Sequence, residues 1–392
     1  MGRRFEPDGA YKIKRPFTAR SIVCAMAEVI TGFDAVRKAA RDYETYSSDL
    51  LGDRDVRDYR QLPLEADPPQ HTGFRLALSP FFMATAIDPK IPAFRALAHD
   101  RIDAFTTLHN GDVVWDLALP YVIGCLSIVY DRPQDTQEWL SWGNDVWTAK
   151  AHQDALAAGK SPADRSGGPL PRYGATLQAY LDRVFDEAEA RRDAGLAAID
   201  VWDNVCRLEV AGKVVNRRQM HGMANVLLAG GRDTVIKLIS GIVWHLVNNP
   251  DDLARVITDD ELRPVLIAEA ARYFSPLGAM ERVLAEDRTA RDEDRDPSKY
   301  VKLSFVSGNY DDSVFQSPDE LNLNRPPRAN LAFGFGPHAC LGRNVAERET
   351  RAFLDELLAD WPFEGKTLRE DIGWSTVGKY SYPEHIHSLV VD

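Results

Sequence analysis

Residues 333–342 read Phe-Gly-Phe-Gly-Pro-His-Ala-Cys-Leu-Gly, and this stretch decides how the rest of the chain is interpreted. Its glycines and proline predict a tight turn, and the apolar periodicity that follows predicts a helix. The turn therefore places the sulfur of Cys340 at the start of a helix. Unpaired backbone N–H groups and the positive end of the helix dipole meet there and favour a thiolate over a thiol. We expect a lone, buried, ionised cysteine at this position.

An ionised cysteine of this kind suits an axial ligand to haem iron, because a thiolate pushes electron density onto the metal. Residues 334–339 also fit the dinucleotide pattern G-x-G-x-x-A, but too little chain remains to build the rest of a βαβ unit. His338 and Cys340 also fit a zinc pair or a Cys–His nucleophile, although the sequence shows no cluster of further Cys or His ligands for zinc. A buried cysteine without chemistry would not need Phe, Gly and His at fixed offsets.

Composition limits the function classes. The chain has 392 residues without a break in composition, so we expect one domain over residues 1–392. A formal net charge of −12 argues against nucleic acid and against anionic membrane as partners. The four scattered cysteines indicate a reducing compartment. No secretory signal follows Met1, and the apolar run 119–130 is too short to cross a bilayer, so we expect a soluble cytoplasmic protein.

Helical periodicity dominates the chain. Apolar residues share one helix face over 94–105 and again over 177–188. The helix after Cys340 keeps its apolar stripe until it stops near Pro362. The longest helix should begin at residue 216, an asparagine that makes a good N-cap, and run to about residue 249. At about 1.5 Å per residue it is roughly 50 Å long and crosses a whole domain.

Strands are few. Residues 301–306 and 387–391 alternate in hydrophobicity, and 21–30 give a weaker strand signal. Residues 151–173 contain Gly, Pro and Ser with little periodicity and predict a long loop. The fold class is therefore mainly α with a minor β portion, in one helix-rich domain.

The Cys340 segment resembles the haem-binding loop of the cytochrome P-450 family, F-x-x-G-x-H-x-C-x-G, at every fixed position. Those positions are Phe333, Gly336, His338, Cys340 and Gly342. The resemblance to this family, in its soluble bacterial type, implies a helix-rich fold with a long central helix over the cofactor. It implies haem b (iron protoporphyrin IX) with the thiolate of Cys340 as axial ligand, and it places Phe333 and Gly334 in the loop that contacts the haem.

The long helix contains a second motif at 230–234, Gly-Gly-Arg-Asp-Thr. Each glycine inside a helix lowers helix stability by about 1 kcal/mol relative to alanine, so two of them indicate a specific structural or functional role. The resemblance implies that Gly230 and Gly231 leave room for O2 and substrate beside the haem. It also implies that Asp233 and Thr234 relay protons during O2 activation, work that a carboxylate beside a hydroxyl can perform. The alternative is a packing notch next to an ordinary surface aspartate.

Two further motifs occur in the family's order. Glu269 and Arg272 form E-x-x-R, whose side chains share a helix face. The resemblance makes Arg325 the third member of a buried network, to which we assign a structural role.

Residues 67–75 resemble the family's D-P-P-x-H-x-x-x-R, with His71 and Arg75 one helical turn apart. The resemblance implies that both bind a haem propionate, joined by His338 and Arg282. A dianionic haem inside a protein needs cationic or hydrogen-bonding partners, which favours the set over four unrelated surface charges.

The resemblance implies a monooxygenase that uses O2 and two electrons to hydroxylate a small hydrophobic substrate. No redox module is attached, so the electrons should come from a ferredoxin or flavodoxin with its NAD(P)H reductase. Arg343, Arg348 and Arg351 either form a docking surface or pair with Glu347 and Glu349, and the two readings carry equal weight. Segments expected around the substrate are 49–64, 151–173, 230–234, 276–280 and 374–377.

Other functions remain open on the same fold. A peroxide-driven hydroxylase or a nitric oxide reductase would leave Asp233 and Thr234 idle. A non-enzymatic haem sensor would need an output domain or a sixth protein ligand. The chain departs from the family where residues 1–42 are atypically short and where 288–299 are densely charged. These departures affect substrate access and local β structure, not the iron site.

Overall fold

A computed structural model describes residues 28–50, 59–142, 175–287 and 299–392. The protein is mostly helical with a minor sheet portion, which confirms the predicted fold class. The helices are α1 Phe33–Arg41, α2 Gln70–Leu78, α3 Ala84–Ile87, α4 Ile91–Thr106, α5 Leu119–Val129, α6 Thr136–Ser141, α7 Ala175–Asp193, α8 Val201–Val205, α9 Arg217–Gly230, α10 Asp233–Asn248, α11 Pro250–Thr258, α12 Leu262–Phe274, α13 Phe305–Asn309 and α14 Arg343–Ala359. A π-helix, Val113–Ala118, precedes α5.

The strands form three small sheets. They are β1 Glu28–Ile30, β2 Tyr46–Ser47, β3 Glu209–Val210, β4 Lys213–Val214, β5 Ala279–Leu284, β6 Tyr300–Ser304, β7 Leu368–Val377 and β8 Tyr380–Val391. The largest sheet has the order β1-β6-β5-β2, in which β1 runs parallel to β6 and the other neighbours are antiparallel. The pairs β3-β4 and β7-β8 are antiparallel.

The strand predictions were partly correct. The strand predicted at 301–306 is β6, but it ends at Ser304, whose hydroxyl accepts the N–H of Ser307 and starts α13. The strand predicted at 387–391 belongs to β8, which begins seven residues earlier at Tyr380. Only the last three residues of the weak signal at 21–30 form β1. The rest of that signal and the loop predicted at 151–173 lie outside the described residues.

The long helix begins and ends where the sequence predicted. The side chain of Asn216 accepts the N–H of Gln219 at 3.0 Å, and the side chain of Gln219 accepts the N–H of Asn216 at 2.9 Å. This reciprocal capping satisfies two N–H groups that the helix itself leaves unpaired. The helix is not continuous, however. It stops at Gly230 and resumes at Asp233, because the backbone at Gly231 (φ −95°, ψ 1°) leaves the helical path.

The core positions the cysteine loop. One large apolar cluster joins α4, α5, α9 and α14, and a second lies between α10, α12 and α14. A third packs α1 against the four-stranded sheet. Because α14 is buried between α4 and α12, the loop that precedes it is held over the middle of the molecule. Among the described residues, no helix is both long enough and apolar enough to span a bilayer.

Candidate functional site

The loop before α14 is shaped by two glycines with left-handed backbone angles. Gly334 has φ 66° and Gly336 has φ 74°. A Cβ atom on Gly336 would lie 2.6 Å from the carbonyl oxygen of Ala40, so only glycine lets the loop pack against α1. The N–H of Cys340 donates to the carbonyl of Phe333 at 2.8 Å, which closes the loop. The sequence therefore dictates the turn that carries the sulfur.

The sulfur of Cys340 accepts backbone N–H groups at the start of α14. Gly342 and Arg343 donate them, and the charges of Arg75 and Arg343 also favour the thiolate. Desolvation by the surrounding protein outweighs these effects, so the pKa of Cys340 is raised above its ordinary value. The residue also keeps an exposed surface. The prediction of a buried, already ionised cysteine was therefore wrong, although the predicted N–H donors are present. Coordination to a metal ion would supply the missing stabilisation of the thiolate.

Two histidines meet beside this loop. The ring of His71, on α2, lies 4.2 Å from the ring of His338, measured between centroids. A nitrogen of His338 contacts the hydroxyl of Ser48 at 3.0 Å, and the ring also donates to the carbonyl of Ala66. His338 is therefore turned away from a shared ligand set with Cys340. Burial, together with nearby cations, lowers the pKa of His71 to about 4 and that of His338 to about 2.

Two arginines complete what we call the cation cluster, defined as His71, Arg75, Arg282 and His338. Arg282 projects from β5 and is only 4% exposed. Its burial lowers its pKa to about 10, and burial likewise lowers the pKa of Arg75. Asp67 is the nearest acid, but its carboxylate already accepts the hydroxyl of Ser47 and the N–H of Ser48. At neutral pH the charge of the cluster comes from Arg75 and Arg282, because the lowered pKa values leave His71 and His338 as neutral hydrogen-bonding groups.

The donors of the cation cluster fit an anionic cofactor. Both ring nitrogens of His71 are buried without a hydrogen-bond partner among the described residues. Within the same residues, the guanidinium of Arg282 donates only to the carbonyl of Glu281, at 2.7 Å. Arg282 and Ser48 line a cavity of about 360 Å³. Buried donors that lack acceptors match the carboxylates of a haem.

Glu269, Arg272 and Arg325 meet in a buried network. Arg272 donates to the carboxylate of Glu269 at 2.7 and 2.9 Å, and Arg325 donates to it at 2.8 Å. The remaining N–H groups of Arg272 bind the carbonyls of Asn309, Pro318 and Glu320 at 2.7–3.0 Å. Arg325 in turn binds the carbonyls of Gln316 and Ser317. The network therefore ties α12 to the chain that leads towards the cysteine loop.

The break in the long helix separates two glycines with different surroundings. Among the described residues, a Cβ atom on Gly230 would meet nothing within 4 Å, whereas one on Gly231 would lie 2.9 Å from Leu126. Gly230 thus borders open space, and Gly231 is a packing notch. The hydroxyl of Thr234 donates to the carbonyl of Gly230 at 3.1 Å. The side chain of Asp233 is 69% exposed. The packing-notch interpretation therefore describes Gly231, and the room for O2 and substrate at Gly230 stays a prediction.

The arginines of α14 are engaged in ion pairs. Arg343 pairs with Glu347 at 2.8 Å, Arg348 pairs with Asp88, and Arg351 pairs with Asp355 at 2.7 Å. These pairs favour the salt-bridge interpretation over a free docking surface. The expected partner Glu349 is different. It is buried on the core side of α14, and burial raises its pKa to about 8.

Sequence reasoning missed several residues around the site. Ser48 holds His338, and no local pattern marks it. Arg37 and Arg41 of α1 lie over the ring of Phe335 at 4.3 and 4.4 Å, which only the packing of α1 on the loop reveals. Lys237 follows Thr234 by three residues on α10, so its helical spacing could have identified it.

Comparisons with known proteins identify the family of this chain. A family model described as Cytochrome P450 matches residues 175–372. Cyclomarin C epoxidase CymV of Salinispora arenicola is 30% identical over 329 residues, which cover 82% of this chain and 80% of that protein. The chain belongs to the cytochrome P450 family. It is an oxidoreductase of the monooxygenase type, and the family implies a haem with a cysteine thiolate ligand.

Other P450 relatives cover similar lengths. The steroid C26-monooxygenase of Mycolicibacterium smegmatis is 28% identical over 336 residues, or 85% of this chain and 80% of that protein. A solved structure titled "The structure of a carbohydrate active P450" aligns with a TM-score of 0.76 at 24% identity, over 93% of this chain and 91% of that chain. This last likeness establishes the fold alone.

Proposed function

We propose that the sulfur of Cys340 is the axial ligand of haem b and that the cation cluster binds the haem propionates. The observation that carries this proposal is the position of the cluster. His338 lies two residues before Cys340, and its ring contacts that of His71, whose nitrogens lack hydrogen-bond partners among the described residues. When bound, a thiolate-ligated haem supplies the reductive activation of O2 and insertion of one oxygen atom into a C–H bond, with the other leaving as water.

Asp233 and Thr234 would deliver protons for this reaction. The carboxylate of Asp233 is in contact with solvent, so it can take up protons from water. The hydroxyl of Thr234 is held by the carbonyl of Gly230, beside the space that Gly230 leaves open. A hydroxyl in this position can donate a proton into that space while it is replenished from the neighbouring acid.

Glu269, Arg272 and Arg325 would have no chemical role and would brace the cysteine loop.

The electrons would come from a ferredoxin or flavodoxin and its NAD(P)H reductase. Such carriers are commonly acidic, so a cationic surface near the cysteine loop would guide them. The paired arginines of α14 suit this role poorly. Arg41 suits it better, because it lies over the ring of Phe335 within the loop and forms no ion pair among the described residues. Arg37 lies over the same ring, with a longer ion pair to Asp34 at 3.8 Å.

The substrate would be a small molecule with a large hydrophobic part. Leu50, Leu64 and Met280 line the cavity beside Arg282, which supports an apolar surface at this site. The steroid C26-monooxygenase and the epoxidase among the relatives support oxygen insertion as the reaction, and neither name fixes the substrate of this chain.

Coupling of electron use to product formation tests the relay. A panel of steroids, terpenes and aliphatic acids is first screened for compounds that displace iron-bound water in the wild type. With such a compound, Thr234→Ala should keep haem and ligand binding but divert electrons from product to hydrogen peroxide, lowering coupling on the order of tenfold or more. Thr234→Ser, which keeps the hydroxyl, should retain coupling.

Full coupling in Thr234→Ala would remove Thr234 from the mechanism.

The peroxide-driven alternative is distinguished by the oxidant. Turnover with ferredoxin, reductase and NADH should exceed turnover with hydrogen peroxide. Turnover with peroxide alone would favour the alternative.

A further inference from the structure

Lys237 is a cation close to the proposed relay that the relay does not use. It lies three residues after Thr234 on α10, about 4.5 Å further along the helix axis. Lys237 is half-buried, and its ammonium group forms no hydrogen bond or ion pair with any residue that the structure describes. Burial lowers the pKa of Lys237 to about 8, against the opposing effect of Glu384. Burying an ammonium group without an acceptor costs free energy, and a bound anion would offset that cost.

Glu384 is not that anion. Its carboxylate is 48% exposed and accepts the hydroxyl of Tyr382 at 3.3 Å, and no ion pair joins it to Lys237. Water around a half-exposed carboxylate weakens its effect on neighbouring charges. Glu384 therefore offsets only part of the cost of burying Lys237.

The surroundings place Lys237 near the site. A Cβ atom on Gly278 would lie 3.8 Å from the hydroxyl of Tyr382, so β8 reaches the segment between α12 and β5. The next two residues, Ala279 and Met280, line the cavity beside Arg282. Helix α10 packs against β8, and on α10 Lys237 is seven residues after Gly230 and three after Thr234, so it lies on the same helix face as both.

We propose that Lys237 binds a carboxylate of the substrate. This inference rests on the proposed function and narrows its substrate class to amphiphiles, with an apolar body and one acidic end. A single ammonium group matches a singly charged carboxylate. A phosphate dianion would need further cations. His385 interacts electrostatically with Lys237, but burial and that interaction lower the pKa of His385, so it adds no charge at neutral pH. The anchored acid would be held one helical turn from Thr234, which would fix the orientation of the apolar body.

Three ligands with the same ten-carbon chain test the charge preference: decanoate, 1-decanol and decyltrimethylammonium. Their affinities for the haem-loaded full chain are measured by equilibrium dialysis. Wild type should bind decanoate about tenfold more tightly than decanol, as a charge-assisted hydrogen bond predicts. Lys237→Met should bind decanoate no better than decanol while its affinity for decanol stays within about twofold. Lys237→Arg should keep the preference, and Glu384→Gln should preserve or increase it.

Lys302→Met is the matched control, because Lys302 is an exposed lysine on β6 that lines the cavity near Arg282. It should behave as wild type. The proposal is overturned if wild type prefers decanol or the quaternary amine, if Lys237→Met keeps the preference for decanoate, or if Lys302→Met abolishes it. Dialysis needs neither electrons nor O2. If the haem lacks thiolate ligation but decanoate binding still depends on Lys237, the proposed function is overturned and carboxylate binding by Lys237 is supported.

Discussion

The Glu269 network and the cation cluster are both rich in buried charge, yet they differ in how that charge is satisfied. Glu269 accepts hydrogen bonds from two arginines, and the other N–H groups of Arg272 reach backbone carbonyls. In the cation cluster, both nitrogens of His71 lack a partner among the described residues, and Arg282 has only a carbonyl. A closed set of donors and acceptors braces a fold, whereas an open set of buried donors marks a place for a ligand.

The largest effect is expected at the closed network. Glu269→Ala leaves Arg272 fully buried without its carboxylate, and breaking such a pair destabilises a protein by about 3–5 kcal/mol. Urea unfolding of the purified protein measures this loss. Glu286→Ala is the control, because Glu286 pairs with Lys299 at the surface, where a pair contributes about 1 kcal/mol or less. Equal losses in the two variants would contradict the assignment of Glu269 as a brace.

Glu349 is a third case of buried charge. Among the described residues, no cation pairs with its carboxylate. Desolvation raises its folded-state pKa from 4.5 to about 8, so the folded protein binds a proton more tightly than the unfolded chain. Stability should therefore fall as pH rises from 4.5 towards 8. Glu349→Gln removes this dependence and should be more stable than wild type at pH 8 on the order of 2 kcal/mol.

The measurement for Glu349 is the free energy of unfolding in urea at pH 5 and pH 8. Glu347→Gln serves as the control, since Glu347 lies two residues earlier on α14 and pairs with Arg343 at the surface. An identical pH dependence in wild type and Glu349→Gln would show that Glu349 is ionised in the folded protein.

A smaller effect is expected at the cation cluster, and it is measured as the rate of haem loss rather than as stability. Arg282→Met should speed the transfer of haem to apomyoglobin about tenfold, as loss of one charged hydrogen bond predicts. Stability of the haem-free protein should not fall, because the buried guanidinium lacks a carboxylate partner within the described chain. Arg95→Met, which removes an exposed guanidinium paired with Glu356, should leave haem transfer unchanged. Unchanged transfer in Arg282→Met would separate the cluster from the cofactor.

Local features of the fold were predictable from sequence. The turn at Gly334 and Gly336 and the cap at Asn216 depend on residues close together in the chain, so their patterns predict them directly. The E-x-x-R pair at Glu269 follows from helical spacing in the same way. The domain extent over residues 1–392 and the roles of the site residues remain predictions.

Features set by contacts between distant segments were not predictable. The helix break at Gly231 and the full length of β8 depend on packing against other segments. The pKa of Cys340 depends on the balance between desolvation and N–H donors, which only three-dimensional burial determines. Lys237 could be singled out only from the structure, where it lacks a partner among the described residues.

The most direct test is the absorption spectrum of the reduced, carbon monoxide-treated protein, recorded for wild type, Cys340→Ser and Cys206→Ser. Cys206 is a buried cysteine that follows α8 and is not part of the cysteine loop, so its replacement controls for the loss of a thiol. Wild type and Cys206→Ser should show the red-shifted Soret band of a thiolate-ligated haem, and Cys340→Ser should not. A red-shifted band that survives in Cys340→Ser, or is absent from wild type, would contradict ligation by Cys340.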